Sequence, residues 1–199
     1  MITQKITISI LLIGAMFACE AKENQEMKGK TSTQKPVEIT LENANAYFRK
    51  LTEKDGGKYV PIVNADEWDG GGFEDTDFDD EAMRFFSLFK NIDGLHLERT
   101  KITDNGIKLL IQNQKLKSLN IGSKGTTNKS CEYLSQLENL EYLHFSESAS
   151  FNDGCIDSII KMKKLKELSL GFVYFTRPGI ERLRKTRPDL SINLHDAEY

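Results

Sequence analysis

Between residues 92 and 170 one short apolar phrase, L-x-x-L-x-L, keeps returning. It reads Ile92-Leu95-Leu97, Leu116-Leu119-Ile121, Leu140-Leu143-Phe145 and Leu165-Leu168-Leu170. The phrases start 24, 24 and 25 residues apart, and Leu190 lies another 25 on. Inside a phrase the last two apolar residues alternate with polar ones, the period of a strand with one buried face. Between phrases, stretches such as TDNGIKLLIQNQ read as the start and body of a helix. One strand-plus-helix unit cannot bury its own apolar face, but stacked units bury a continuous core. The period therefore predicts an α/β solenoid, an arc with a parallel sheet on its concave face and helices on its convex face.

The helical halves agree column by column. Ala82, Gly106, Ser130, Gly154 and Gly179 lie 14 residues after the first apolar residue of their repeat, and all are small. Met83, Ile107, Cys131, Cys155 and Ile180 follow and are expected to point inward. Asp80, Asp104, Asn128 and Asn152 lie at offset 12, where Asp and Asn cap helix N-termini. Trp68 stands 24 residues before Ile92, so WDGGGFEDTDFDDEAMRFF aligns as a degraded first repeat, with Phe73 at its third apolar position.

The flanks read differently. In TLENANAYFRKLTEK, Leu41, Ala44, Phe48 and Leu51 share one helical face and Thr40 is placed to cap it, while KYVPIV reads as a short strand. An open solenoid needs a capped end, and residues 37–67 are the natural cap. At the N-terminus, Lys5 precedes the 13-residue apolar run from Ile6 to Ala18, too short for the roughly 20 residues a bilayer core needs and suited to a signal peptide over 1–18. Residues 20–36 hold no aromatic or β-branched aliphatic residue and read as a flexible tether.

Two resemblances follow. TKITDNGI resembles the bacterial leucine-rich repeats that read T-x-I-T-D-x-G-L, and TRPGIERLRKTRPDLSINL resembles their closing unit. The likeness spans 68–194, about five units, and leaves 195–199 as a tail. Many such repeats carry Asn after the strand. Here that column reads Thr76, Thr100, Lys124, Ser148 and Val173, so any ladder there is weaker or built from hydroxyls. MFAC, ending at Cys19, resembles the lipobox of bacterial lipoproteins, although Met16 and Phe17 replace its usual Leu and small residue. That resemblance implies lipidation of Cys19 and a membrane-anchored chain in the bacterial cell envelope, on the outer membrane if there are two. The alternative is ordinary secretion, with cleavage near Ala18.

Charge and candidate chemistry narrow the function. A net charge of −3 supplies no bulk positive field for nucleic acid. Acids dominate 66–81 and bases dominate 161–187. Asp75, Asp77 and Asp79 alternate as in a calcium loop, but Asp80 stands where that loop needs Gly and Phe86 where it needs Glu, leaving at most a weak divalent-ion site in 74–81. Cys131 and Cys155 occupy equivalent helix positions in adjacent repeats. Packed helices lie about 8–10 Å apart, so the expectation is two buried free thiols. No nucleophile, metal or phosphate motif stands out, and no enzyme, cofactor or metal is expected.

What remains is a surface. His96, Glu98, Ser118, Asn120, Tyr142, His144, Glu167 and Ser169 fall between the buried strand positions and should line the concave face. The expected role is non-catalytic binding of a protein or peptide there. Self-association of acidic start with basic end is the alternative.

Overall fold

In the computed structural model, residues 36–54, 56–146 and 150–195 are described. The proposed signal peptide, Cys19, all but the last residue of the 19–36 tether, Ser148 of the hydroxyl column and the tail beyond His195 lie outside them. Six strands form one parallel sheet in sequence order: β1 (Gly70–Gly72), β2 (Gly94–Glu98), β3 (Ser118–Gly122), β4 (Tyr142–Phe145), β5 (Glu167–Gly171) and β6 (Ser191–His195). Helix α1 (Leu41–Glu53) precedes the sheet. Between the strands run short helices: α2 (Asp80–Arg84), α3 (Asp104–Leu109), α4 (Asn128–Leu134), α5 (Ile156–Lys161) and α6 (Arg177–Thr186). The predicted leucine-rich-repeat solenoid is what forms.

The register places Leu95 beside Leu119, Leu119 beside Leu143 and Leu143 beside Leu168. All four are fully buried, as are Leu97, Ile121 and Phe145 in the next row. The inward column of Met83, Ile107, Cys131, Cys155 and Ile180 is buried too. In β1, Gly70 adopts φ +136° and a Cβ on it would lie 1.8 Å from the Gly94 carbonyl oxygen. A close backbone, not a ligand, requires it.

The helix starts show how one repeat is locked to the next, and they move the caps. Asp79, Thr103, Thr127, Asn152 and Thr176 cap the helical segments, so only Asn152 of the offset-12 set caps its own. The other offset-12 residues reach forward. Asp80 accepts from the Thr103 amide and hydroxyl at 2.8 and 2.6 Å. Asp104 accepts from the Thr127 amide and hydroxyl at 2.8 and 2.7 Å and from the Ser130 hydroxyl at 2.5 Å. Asn128 exchanges two hydrogen bonds with Asn152, and Asp153 binds Thr176. In Asp79-Asp80, Thr103-Asp104, Thr127-Asn128 and Asn152-Asp153, then, the first residue caps its own helical segment while the second holds the next cap. This also explains the small column, since a Cβ on Gly106 would lie 2.4 Å from Asp80 Oδ1 and one on Gly179 2.3 Å from Asp153 Oδ1.

Although burial pushes the Asp104 carboxyl up, the hydroxyls of Ser130 and Thr127 and their backbone amides hold it below the usual range. A depressed carboxyl contributes stability above its unfolded pKa and loses it as pH falls through the folded value. Asp104→Asn should therefore cost about 1 kcal/mol at neutral pH, because solvent screens part of the interaction. It should also flatten the fall in stability between about pH 5 and about pH 2 in urea melts. An unchanged acid limb would show that the carboxylate charge carries no weight.

The post-strand column is built from hydroxyls. Thr76 and Thr100 donate to the carbonyls of Phe73 and Leu97, and Ser123, one residue ahead of the expected Lys124, donates to the Thr100 and Ile102 carbonyls.

Two further expectations fail. KYVPIV forms no strand: Pro61 removes a donor, and Asn45 takes the backbone groups that a partner strand would need. Its carboxamide binds both the amide and the carbonyl of Ile62 at 2.8 Å and accepts from the Tyr59 hydroxyl. Cys131 and Cys155 are not free thiols but a disulfide, with Cα atoms 5.4 Å apart. The helix-packing distance does not apply at the helix starts. There the chains are still held near strand spacing, at this junction by the Asn128–Asn152 hydrogen bonds and at the junctions on either side by the parallel bridges Thr103–Gly125 and Asn152–Tyr174.

Helix α1 packs on the first repeat. Helix α1 starts at Thr40, whose side chain accepts from Asn43, and buries Ala44, Phe48 and Leu51; Leu41 is only partly covered. Phe48 meets Trp68, Phe73, Phe78, Phe85, Phe86 and Phe89. The Tyr47 hydroxyl donates to Asp79 at 2.9 Å, tying α1 to the cap of α2.

Candidate functional site

The pleat sends alternate strand residues to the concave face in three rows. The first contains Ser118, Tyr142 and Glu167, the second His96, Asn120, His144 and Ser169, and the third Glu98, Gly122, Gly171 and His195. All eight residues assigned from the sequence stand in these rows. They are not equally available.

His96 is exposed and its Nδ1 lies 2.9 Å from Glu74 Oε1. Tyr142 is half-buried rather than exposed, between Ser118 and Glu167. Glu167 accepts from the Asn193 carboxamide at 2.7 Å. Ser169 is the least available of the eight: only 2% of it is exposed, because the His144 ring covers it, with Nδ1 2.7 Å from its hydroxyl oxygen.

His144 is the centre of the arrangement. Its Nε2 lies 3.4 Å from Glu98 Oε1, and that same oxygen accepts from the Ser146 hydroxyl at 2.9 Å. Glu98 belongs to β2, and Ser146 follows β4, so the bond reaches across β3. Gly122 permits the crossing, since a Cβ there would sit 1.9 Å from the Ser146 carbonyl oxygen. On the other side His195 meets His144 edge to face at 6.1 Å. Burial lowers the His144 pKa, Glu98 partly opposes that, and His195 adds to the lowering. The neutral ring is the form this face favours.

Serine, histidine and glutamate stand in series as in a charge relay, but without an accessible hydroxyl. A nucleophile must reach its substrate, and Ser169 is covered. The cluster is a clamp that fixes polar groups of four strands. Among the described residues one group of this face is left over: Asn120 Oδ1, between His96 and His144, is buried and has no hydrogen-bond partner. Such an atom is costly unless something donates to it.

Sequence reading missed His195, Ser146 and Gly122. His195 lay in the assumed tail, and only the Gly171–His195 pairing brings it here. Ser146 and Gly122 were legible as the column one pleat beyond His144 and Asn120.

The acidic run resolves into internal partners. Asp75 pairs with Arg99, Asp77 with Lys54 and Lys101, Glu81 with Arg84, and Glu74 with His96, while Asp79 and Asp80 hold helix caps. Two lysines hold Asp77 down to about 2. These carboxylates act as structural ties.

No family model matches the sequence, and no curated protein does. Among solved structures, the chain is similar to a leucine-rich-repeat protein of Leptospira interrogans, at 22% identity and a TM-score of 0.40 over 57% of this chain. It spans 27% of that protein's length. It is also similar to internalin C2 of Listeria monocytogenes, at 17% identity and a TM-score of 0.34, covering 78% of this chain and 86% of the other. The repeat architecture rests on the chain's own register.

Proposed function

We propose that the protein is a non-catalytic recognition module of a bacterial cell envelope, anchored through a lipid on Cys19 and binding a protein or peptide on its concave sheet. The observation that carries the binding reading is Asn120. Its buried carboxamide oxygen has no donor among the described residues, beside a cluster in which His144, Ser169, Glu98 and Ser146 already hold one another. A ligand amide that moves the covering side chains aside would donate to that oxygen and relieve the cost of leaving it unpaired. Half-buried Tyr142 beside it adds contact area at low entropy cost. The envelope reading draws support from the apolar run before Cys19 and from the Cys131–Cys155 disulfide, which suits an oxidising compartment.

Self-association of acidic start with basic end has less to draw on, because the carboxylates of 74–81 are held within the chain.

The full chain, used as bait in envelope extract, should capture a partner that Tyr142→Ala/His144→Ala retains at least about tenfold more weakly, as for two central interface residues. Circular dichroism should show the variant folded. Equal capture by both would sink the concave-face assignment.

A further inference from the structure

We infer that the outer edge of β6 is a second binding site, separate from the concave face, and that it takes an extended acidic peptide as an added strand. The sheet shows what is missing there. β2 to β5 are paired on both sides, whereas β6 pairs only with β5 among the described residues. The Ser191 amide donates to the Lys166 carbonyl, so Ser191, Asn193 and His195 turn their backbone groups towards β5. Alternation along the strand then turns the amide and carbonyl of Ile192 and Leu194 outward.

The side chains agree. Leu168 and Leu170 are 0% and 3% exposed, whereas their neighbours in the same rows, Ile192 and Leu194, are only partly covered. An arriving strand with apolar residues at alternate positions would extend both rows and bond to the outward backbone. This is strand addition, in which the main chain gives affinity and the pockets give selectivity.

Charge selects the occupant. Beside the edge, between α6 and β6, lies a hollow of about 240 Å³ lined by Arg177, Ile180, Glu181, Arg184 and Leu194. Ile180 and Leu194 give it an apolar floor. Arg177 and Arg184 stand two helical turns apart on its rim, are exposed, and carry no ion pair among the described residues, with Glu181 between them. From 177 to 195 five cations face two carboxylates, and Arg182 and Arg187 already hold Asp157 and Asp189. An acidic chain with aliphatic residues between its carboxylates fits both the rim and the floor; a basic one does not.

The probe is a fluorescein-labelled peptide alternating glutamate with valine, titrated into the full chain by anisotropy, with a lysine–valine peptide as control. Saturable binding of the acidic peptide alone is expected. It should weaken at least about tenfold in Arg177→Glu/Arg184→Glu, and also between about 50 mM and about 500 mM salt. On binding, hydrogen exchange at the Ile192 and Leu194 amides should slow, while Asn193 is already protected. Tyr142→Ala/His144→Ala should leave binding unchanged, which separates this site from the concave face. Equal binding by the charge-reversed variant, no added protection at 192 and 194, or loss in the concave variant would each overturn the inference. So would peptide-independent dimerisation abolished by the arginine reversal, since the occupant would then be a second copy.

Discussion

Phe48→Ala should lower unfolding stability by about 3–5 kcal/mol, against less than about 0.5 kcal/mol for the exposed Lys50→Ala on the same helix. Phe48 is fully buried, and six aromatic rings from the first repeat close around it, with Phe73 nearest at 5.1 Å between centroids. No neighbour can collapse into the gap without leaving that cluster. In a solenoid each unit packs mainly on its neighbours, so the damage should stay near the end where it is made. Urea melts should show an early transition. Exchange should accelerate at β1 amides well before those of β4. If Phe48→Ala instead lowered the whole curve as one transition, the cap and the distal repeats would be a single cooperative unit. Phe48→Leu, keeping most of the volume, should cost far less.

What the sequence made legible followed from its period. Leu95, Leu119, Leu143 and Leu168 pair side by side because two dozen residues suffice for a strand, a turn, a short helix and a return. The inward column and the concave rows follow from the same counting. The failures came where two chemistries share a position or where distance changes along a unit. Thr103 and Asp104 are both able to cap a helix. Only the fold shows that Thr103 caps its own and Asp104 the next, and in the three repeats where a capping residue stands directly before an offset-12 acid or amide the assignment slipped by one residue. KYVPIV alternates like a strand, but a side chain 17 positions away claims its backbone. The rows of the concave face were legible from the spacing, but the network among them was not. Glu98 reaches Ser146 across an intervening strand, and no one-repeat spacing reveals a bond of sequence separation 48.

The disulfide has the sharpest consequence for stability. Three of the four junctions between helix starts are closed by an aspartate that binds the next threonine. The fourth, between Asn128 and Asn152, has two neutral amides in that place, and there Cys131 and Cys155 are joined. A neutral pair holds less than a charge-assisted one, roughly half as strongly. The covalent bond stands at the junction where the ladder is weakest. Its sequence separation of 24 implies about 3 kcal/mol from the lost freedom of the unfolded chain. Cys131→Ala/Cys155→Ala should be destabilised by about that amount, and reductant should bring the wild type close to the same value while leaving the variant unmoved. The transition should also broaden, with repeats on the α5–α6 side parting from those on the α3–α4 side, because the junction left behind has only the amide pair to couple them. Alkylation without reduction should leave both cysteines unlabelled. Labelling of Cys131 or Cys155 in the folded chain would refute the bond, and identical melts with and without reductant would show that the asparagine pair alone suffices.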